Sequence, residues 1–131
     1  MSYARLSDLV QRFGEPELIA QTDRYSGKAV DTAMIDRLLA DASAMIDGYL
    51  AARYALPLAS VPAILVGVCC DLTRYALYPD AAPDQVRERH RNALQLLREM
   101  STGTLQLGVA PPVAGGVQAV GSSRLFSRGS R

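Results

Sequence analysis

Between Asp31 and Gly103 the chain repeats apolar residues at helical spacing three times, and prolines separate each repeat from the next. Proline removes a backbone donor and clashes with the preceding turn, so each repeat must form its own helix. The first opens at Asp31, whose carboxylate can cap the free amides of the next turn, with Val30 and Ile35 spaced as a hydrophobic staple. Ile35, Leu38, Leu39, Ala42, Met45, Ile46, Tyr49 and Leu50 then recur three and four apart. Asp36, Arg37, Asp41, Ser43 and Asp47 fall on the other face, and the pattern predicts a helix to about Tyr54, before Pro57. A second helix opens at Ser60 or Val61 with Pro62 tolerated in its first turn. Residues 61–70 are apolar on all sides except at Gly67, as expected of a central helix enclosed by neighbours. Asp71 and Arg74, three apart, are placed to form a buried structural ion pair. Tyr78-Pro79 ends this helix. The third starts near Pro83, with Asp84 where a negative charge suits the helix dipole. Its inward stripe is Val86, His90, Ala93, Leu94, Leu97 and Met100, and Gly103 terminates it.

Upstream, Ser7 can cap a short helix through Phe13, ended by Gly14, and Pro16 can open a second short helix to about Gln21. Residues 22–30 read as a polar loop with a turn at Ser26-Gly27. Thr104 to Leu107 can add a short strand or extended segment, which would need a partner. The expected fold is an all-α small helical bundle, with two short N-terminal helices and three longer ones over residues 1–107. A chain of that size can bury about two-thirds of its unfolded surface in one core.

Residues 108–131 differ in kind. After Glu99 no acidic residue occurs, and this Gly/Pro/Ala/Ser-rich stretch closes on Arg124, Leu125, Phe126, Arg128 and Arg131. Alone, it lacks the apolar surface to offset the entropy of ordering its backbone. An apolar pair between arginines nevertheless suits a docking peptide. The formal net charge of +1 hides the asymmetry: the three tail arginines face a body that is slightly acidic. A general polyanion-binding role for the body is thereby disfavoured.

Constellations that carry chemistry are missing. Cys69 and Cys70 are adjacent, match no disulfide or metal spacing, and read as small buried hydrophobes. The single histidine, His90, reads as a half-buried packing residue with no nucleophile near it in sequence. Metal-ligand spacings and a glycine-rich phosphate cradle are absent, so no enzyme activity and no cofactor are expected. The N-terminal residues lack the apolar core of a signal peptide, and Val61–Cys70 is too short to cross a bilayer, so a soluble protein is expected. Arg87, Arg89 and Arg91 do not share one helix face and read as a solvated face or a subunit contact. The two short helices hint at a helix-turn-helix, and hence at a small helical DNA-binding regulator as the alternative. Glu15 and Glu17 stand at the end that would meet phosphates, which counts against it.

In order along the chain, Tyr3-Ala4, Leu6, Asp8-Leu9, Arg12-Phe13-Gly14 and Glu17-Leu18, then Thr22-Asp23-Arg24, resemble the opening of the Mu-like phage and prophage head-completion proteins. The block Ile46-Asp47-Gly48-Tyr49-Leu50-Ala51-Ala52-Arg53-Tyr54-Ala55-Leu56-Pro57-Leu58 is similar to the middle of that family. So are Val61-Pro62, the helix with Asp71, Arg74-Tyr75 and Leu77-Tyr78, and the closing Arg124-Leu125-Phe126-Ser127-Arg128. The resemblance implies a head–tail connector subunit that forms a homo-oligomeric ring, commonly twelvefold, beneath the portal protein. Such a ring lets packaged DNA pass without sequence-specific binding and offers a surface to a stopper, downstream connector or tail protein. Its place would be the virion, at the head–tail junction, after synthesis in the bacterial host cytoplasm. On this reading Arg124, Leu125, Phe126 and Arg128 dock on the portal or a neighbouring subunit. Arg53, Tyr54, Leu56 and Leu58 either pin a turn, with Arg53 pairing to Asp47 or Asp71, or contact a partner. Asp36, Asp41 and Asp47 either line the channel or form a solvated helix face.

Overall fold

A computed structural model describes residues 2–108. Among them are five α-helices and no strand: α1 (Leu6–Phe13), α2 (Glu15–Thr22), α3 (Thr32–Leu50), α4 (Ala63–Ala76) and α5 (Asp84–Thr102). The all-α bundle of two short and three long helices is as expected. The proposed tail, with Arg124, Leu125, Phe126 and Arg128, lies outside the described residues.

The helix ends follow local chemistry. At α3 the Asp31 carboxylate accepts from the Met34 N–H at 3.1 Å, while the Asp31 N–H donates to the Thr22 hydroxyl at 3.0 Å. At the other end α3 stops at Leu50, short of the expected Tyr54. Residues 51–53 tighten into a turn in which the Arg53 and Tyr54 N–H groups both reach the Leu50 carbonyl. That turn keeps near-helical hydrogen bonds, so periodicity alone overran it. The cap of α1 is Arg5, not Ser7, because the Asp8 carboxylate reaches back to the Arg5 N–H at 2.8 Å and sets the first turn two residues earlier. Pro62 is the extended residue before α4 rather than part of its first turn. Gly103 ends α5 in the left-handed region (φ 86°, ψ 0°), where a side chain is costly.

The connection between α2 and α3 is organised by one carboxylate. Asp23 accepts from the Ser26 hydroxyl at 2.6 Å and from the N–H groups of Ser26, Lys28 and Ala29. The Ser26 bond is foremost in holding its carboxyl well below the ordinary value. Gly27 supplies the positive φ (62°) of the expected turn.

Helices α3, α4 and α5 pack on one another around Ile35, Leu39, Ile46, Leu50, Leu65, Val68, Leu97 and Met100, all buried. Full burial of each such side chain is worth about 1.5–3 kcal/mol. Helix α1 lies on α3 and α4, and α2 on α1. Cys69 and Cys70 are free thiols within the core, and burial pushes Cys70 up to about 12.

The buried stripe of α3 is rotated from the one its hydrophobicity suggests. Ser43, assigned to the outer face, is buried and accepts from the Tyr3 N–H at 3.0 Å. Met45, assigned inward, is 44% exposed. Tyr3 and Ala4 explain the rotation: both are buried, and the Tyr3 hydroxyl donates to Asp47. Residues 2–5 thus occupy the flank of α3 that Ser43 shares, and the opposite flank, with Met45, is left open.

Candidate functional site

The turn between α3 and α4 gathers four of the singled-out residues. Tyr54 and Leu58 are buried, and Leu56 packs partly against the same core. The Leu56–Pro57 peptide bond is cis. Arg53 pairs with neither Asp47 nor Asp71. Its guanidinium instead lies over the end of α5, so close that a Cβ on Gly103 would meet Arg53 Cζ at 2.7 Å. Its Nε is buried without a hydrogen-bond partner among the described residues. A cation at a helix C-terminus is favoured by the helix dipole, whereas both acids are already engaged. Asp47 accepts from Tyr3, and Asp71 is bridged by Arg89 at 3.2 Å.

The same turn holds the start of the C-terminal segment. Thr104–Leu107 forms no strand. Leu105 N–H bonds to the Glu99 carbonyl at 3.1 Å, and Leu107 N–H donates to the Tyr54 hydroxyl at 3.4 Å. Leu107 is buried there, so the chain leaves the body beside the C-terminal end of α3.

The expected Asp71–Arg74 pair is replaced by one that spacing could not show. Arg74 Nε and Nη2 grip both carboxylate oxygens of Glu17 at 2.8 and 2.9 Å, and Tyr78 donates to the same carboxylate at 2.9 Å. Arg74 also lies over the Phe13 ring, 4.3 Å from its centroid. The Arg74 hydrogen bonds hold Glu17 below its ordinary carboxylate value, and the same bonds raise Arg74. This clamp fastens the N-terminal helices to α4. It also occupies the end of α2 that a helix-turn-helix would offer to phosphates, and does so with acid.

The three acids of α3 do not form one surface. Asp36 and Asp47 share a flank and line an open groove with Ser2, Arg5 and Leu6. Asp41 lies about 120–140° round the helix from them and lines a different groove. That second groove is walled by Leu38, Ala42 and Met45 of α3, by Leu72, Tyr75 and Ala76 of α4, and by His90 of α5. His90 stacks on Tyr75, ring centroids 3.8 Å apart and planes within 12°. Burial lowers His90 from its ordinary value and so keeps it neutral at pH 7.

The arginine cluster on α5 is likewise committed piecemeal. Arg87 bridges Asp84 and reaches the Ala82 carbonyl, Arg89 bridges Asp71, and Arg91 is exposed. Among the described residues, no group of three or more His, Cys, Asp or Glu side chains could hold a metal ion. No described helix is long and apolar enough to cross a membrane.

These features describe a small all-α body whose polar side chains mostly tie its own elements together, and comparison with known proteins places it among phage proteins of structural or morphogenetic role. The family described as Bacteriophage Mu, Gp36 matches residues 3–119, and the chain belongs to that family. It is similar to the "Mu-like prophage FluMu protein gp36" of Haemophilus influenzae, 34% identical over 108 residues, covering 82% of this chain and 77% of that one. It is also similar to "Gene product J" of Escherichia phage Mu, 33% identical over 135 residues, covering 98% of this chain and 96% of that one.

Proposed function

We propose that the protein is a non-enzymatic head-completion or head–tail connector subunit, working as one member of a ring between portal and tail. The observation that carries the reading is the match to a Mu phage family along residues 3–119. A helical body with an acid-free, arginine-flanked Leu125-Phe126 at its end supports it. In this role the bodies pack side by side around the DNA channel and residues 108–131 dock on the portal or on the adjacent subunit. Leu125 and Phe126 fill an apolar groove while Arg124 and Arg128 pair with carboxylates. Repetition around a ring multiplies weak contacts through effective concentration.

The test is head-to-tail joining in an assembly reaction, comparing the full chain with one ended after Leu107. The expected result is filled heads that fail to acquire tails when the shortened chain is supplied. Joining at the normal rate overturns the docking role. A full chain that stays monomeric beside purified portal rings overturns the connector reading itself.

A further inference from the structure

We propose that, in the free subunit, the Arg124–Arg128 segment folds back into the groove between α3, α4 and α5 of its own chain. The groove is a shallow site of roughly 310 Å³, at the small end of ligand pockets, about 300–1,000 Å³, and suited to a pair of side chains. It contains two of the three large apolar side chains the described body leaves exposed, Met45 at 44% and Tyr75 at 37%.

Charge and exposed apolar surface together select this groove over two others. Of the side chains lining it, Asp41 is the one carboxylate, and it takes part in no ion pair among the described residues. The groove near Tyr25 carries Arg24 and no acid, which repels a segment with arginines. The groove beside the N-terminal segment carries Asp36 and Asp47 with Arg5, but Asp47 is engaged by Tyr3 and none of the exposed large apolar side chains lines it. Leu125 and Phe126 match the apolar wall of Leu38, Met45 and Tyr75, and the flanking arginines carry the charge opposite to Asp41.

Reach selects the same chain. Leu107 is fixed on Tyr54, beside the C-terminal end of α3. From Leu50, Met45 and Leu38 lie about 7 and 18 Å back along the helix at 1.5 Å per residue. For a flexible chain as long as the stretch from Gly108 to Arg124, the expected root-mean-square span is about 20–25 Å. The linker is somewhat longer than this span, so the segment can reach the groove and the contact gains from an intramolecular effective concentration. Such docking would cover the adhesive end until a partner displaces it, and it holds or fails independently of which partner that is.

The chain carries four methionines, Met1, Met34, Met45 and Met100, so methyl-labelled methionine in the full-length protein supplies a probe in the groove and others outside it. Nuclear Overhauser contacts are expected between the Met45 methyl and the Phe126 ring, unchanged on dilution. Phe126→Ala should shift Met45 while leaving buried Met100 in place, and Asp41→Lys should weaken the same contacts. Unmoved Met100 also shows that the variants fold. The proposal is overturned if Met45 ignores Phe126→Ala, if Met34 in the Tyr25 groove moves instead, or if the contacts fade on dilution, which would assign them to another copy.

Discussion

Replacing Glu17 with Gln tests the argument that a single ion pair, contributed by residues 57 positions apart, fastens the N-terminal helices to the bundle. The side chains of Arg74 and Glu17 retain only 13% and 20% exposure, so the pair lies between two regimes. Exposed pairs contribute about 0–1 kcal/mol, and breaking a fully buried pair costs about 3–5 kcal/mol. The two-pronged geometry and the added Tyr78 hydrogen bond raise the value, while the stack of Arg74 on Phe13 persists and softens the loss. The expected cost is about 2 kcal/mol, consistent with hydrogen bonds to charged groups, and about 10 °C in melting temperature for a domain this size. Urea and thermal unfolding followed by helical circular dichroism measure it. The pH dependence sharpens the test. Glu17 has its native pKa lowered, so over that window the unfolded state binds more protons and the stabilisation is present above the ordinary carboxylate value of 4.5. It is lost as pH falls through the lower native value. The gap between wild type and Glu17→Gln should therefore close in acid, while contributions from Asp23 and other carboxylates cancel in the difference. A gap below about 0.5 kcal/mol at neutral pH would refute the clamp, since that is the scatter of a surface substitution. A gap that stays constant into strong acid would refute its ionic origin.

Gly103→Ala should cost about 1–3 kcal/mol in urea unfolding, combining left-handed backbone strain with a Cβ 2.7 Å from Arg53 Cζ. In an Arg53→Ala background only the backbone part, about 1 kcal/mol, should remain, and equal costs in both backgrounds would exclude the contact. Burial lowers His90 below its ordinary 6.5, so its stabilising contribution is present above that value and is lost as pH falls towards the native pKa. Comparing urea midpoints of wild type and His90→Phe between about pH 5 and 7.5 should show the wild type losing stability in acid faster than the variant, and parallel curves contradict this. Asp31→Ala removes the acceptor for the Met34 N–H and should lower stability by about 1 kcal/mol, read from the same unfolding curves.

Helix type and order were legible because proline and glycine punctuate a strong helical period, and Asp31, Gly103 and the Ser26-Gly27 turn lie where local chemistry places them. Tertiary pairing was not. Spacing offered Asp71 to Arg74, but the two are neighbours on one helix, whereas Glu17 and Arg89 come from other elements and satisfy each of them with better geometry. The burial of Ser43 was equally hidden, since it depends on Tyr3 and Ala4 lying against α3 and supplying an N–H to its hydroxyl. That contact accompanies the rotated buried stripe that leaves Met45 at the surface, while helix geometry alone places Asp41 on a different flank from Asp36 and Asp47. A three-acid face was therefore a correct reading of the polar residues and a wrong one of their angles.

The polar inventory narrows where function can reside. Glu17, Asp71 and Asp84 are engaged by Arg74, Arg89 and Arg87, Asp47 by Tyr3, and Asp8, Asp23 and Asp31 by backbone N–H groups. Each of these interactions joins or terminates elements of the body itself, so a substitution there should register in unfolding before it registers in binding. Asp36 and Asp41, one on each flank of α3, carry no such duty, and both border grooves that the helices leave open. Helix α3 thus does two jobs with different residues: its Ile35, Leu39, Ile46 and Leu50 edge builds the core, and its two outer flanks present acid beside apolar surface. A partner ending in arginines around an apolar pair is the chemistry those flanks select, and the chain carries such a sequence at its own end.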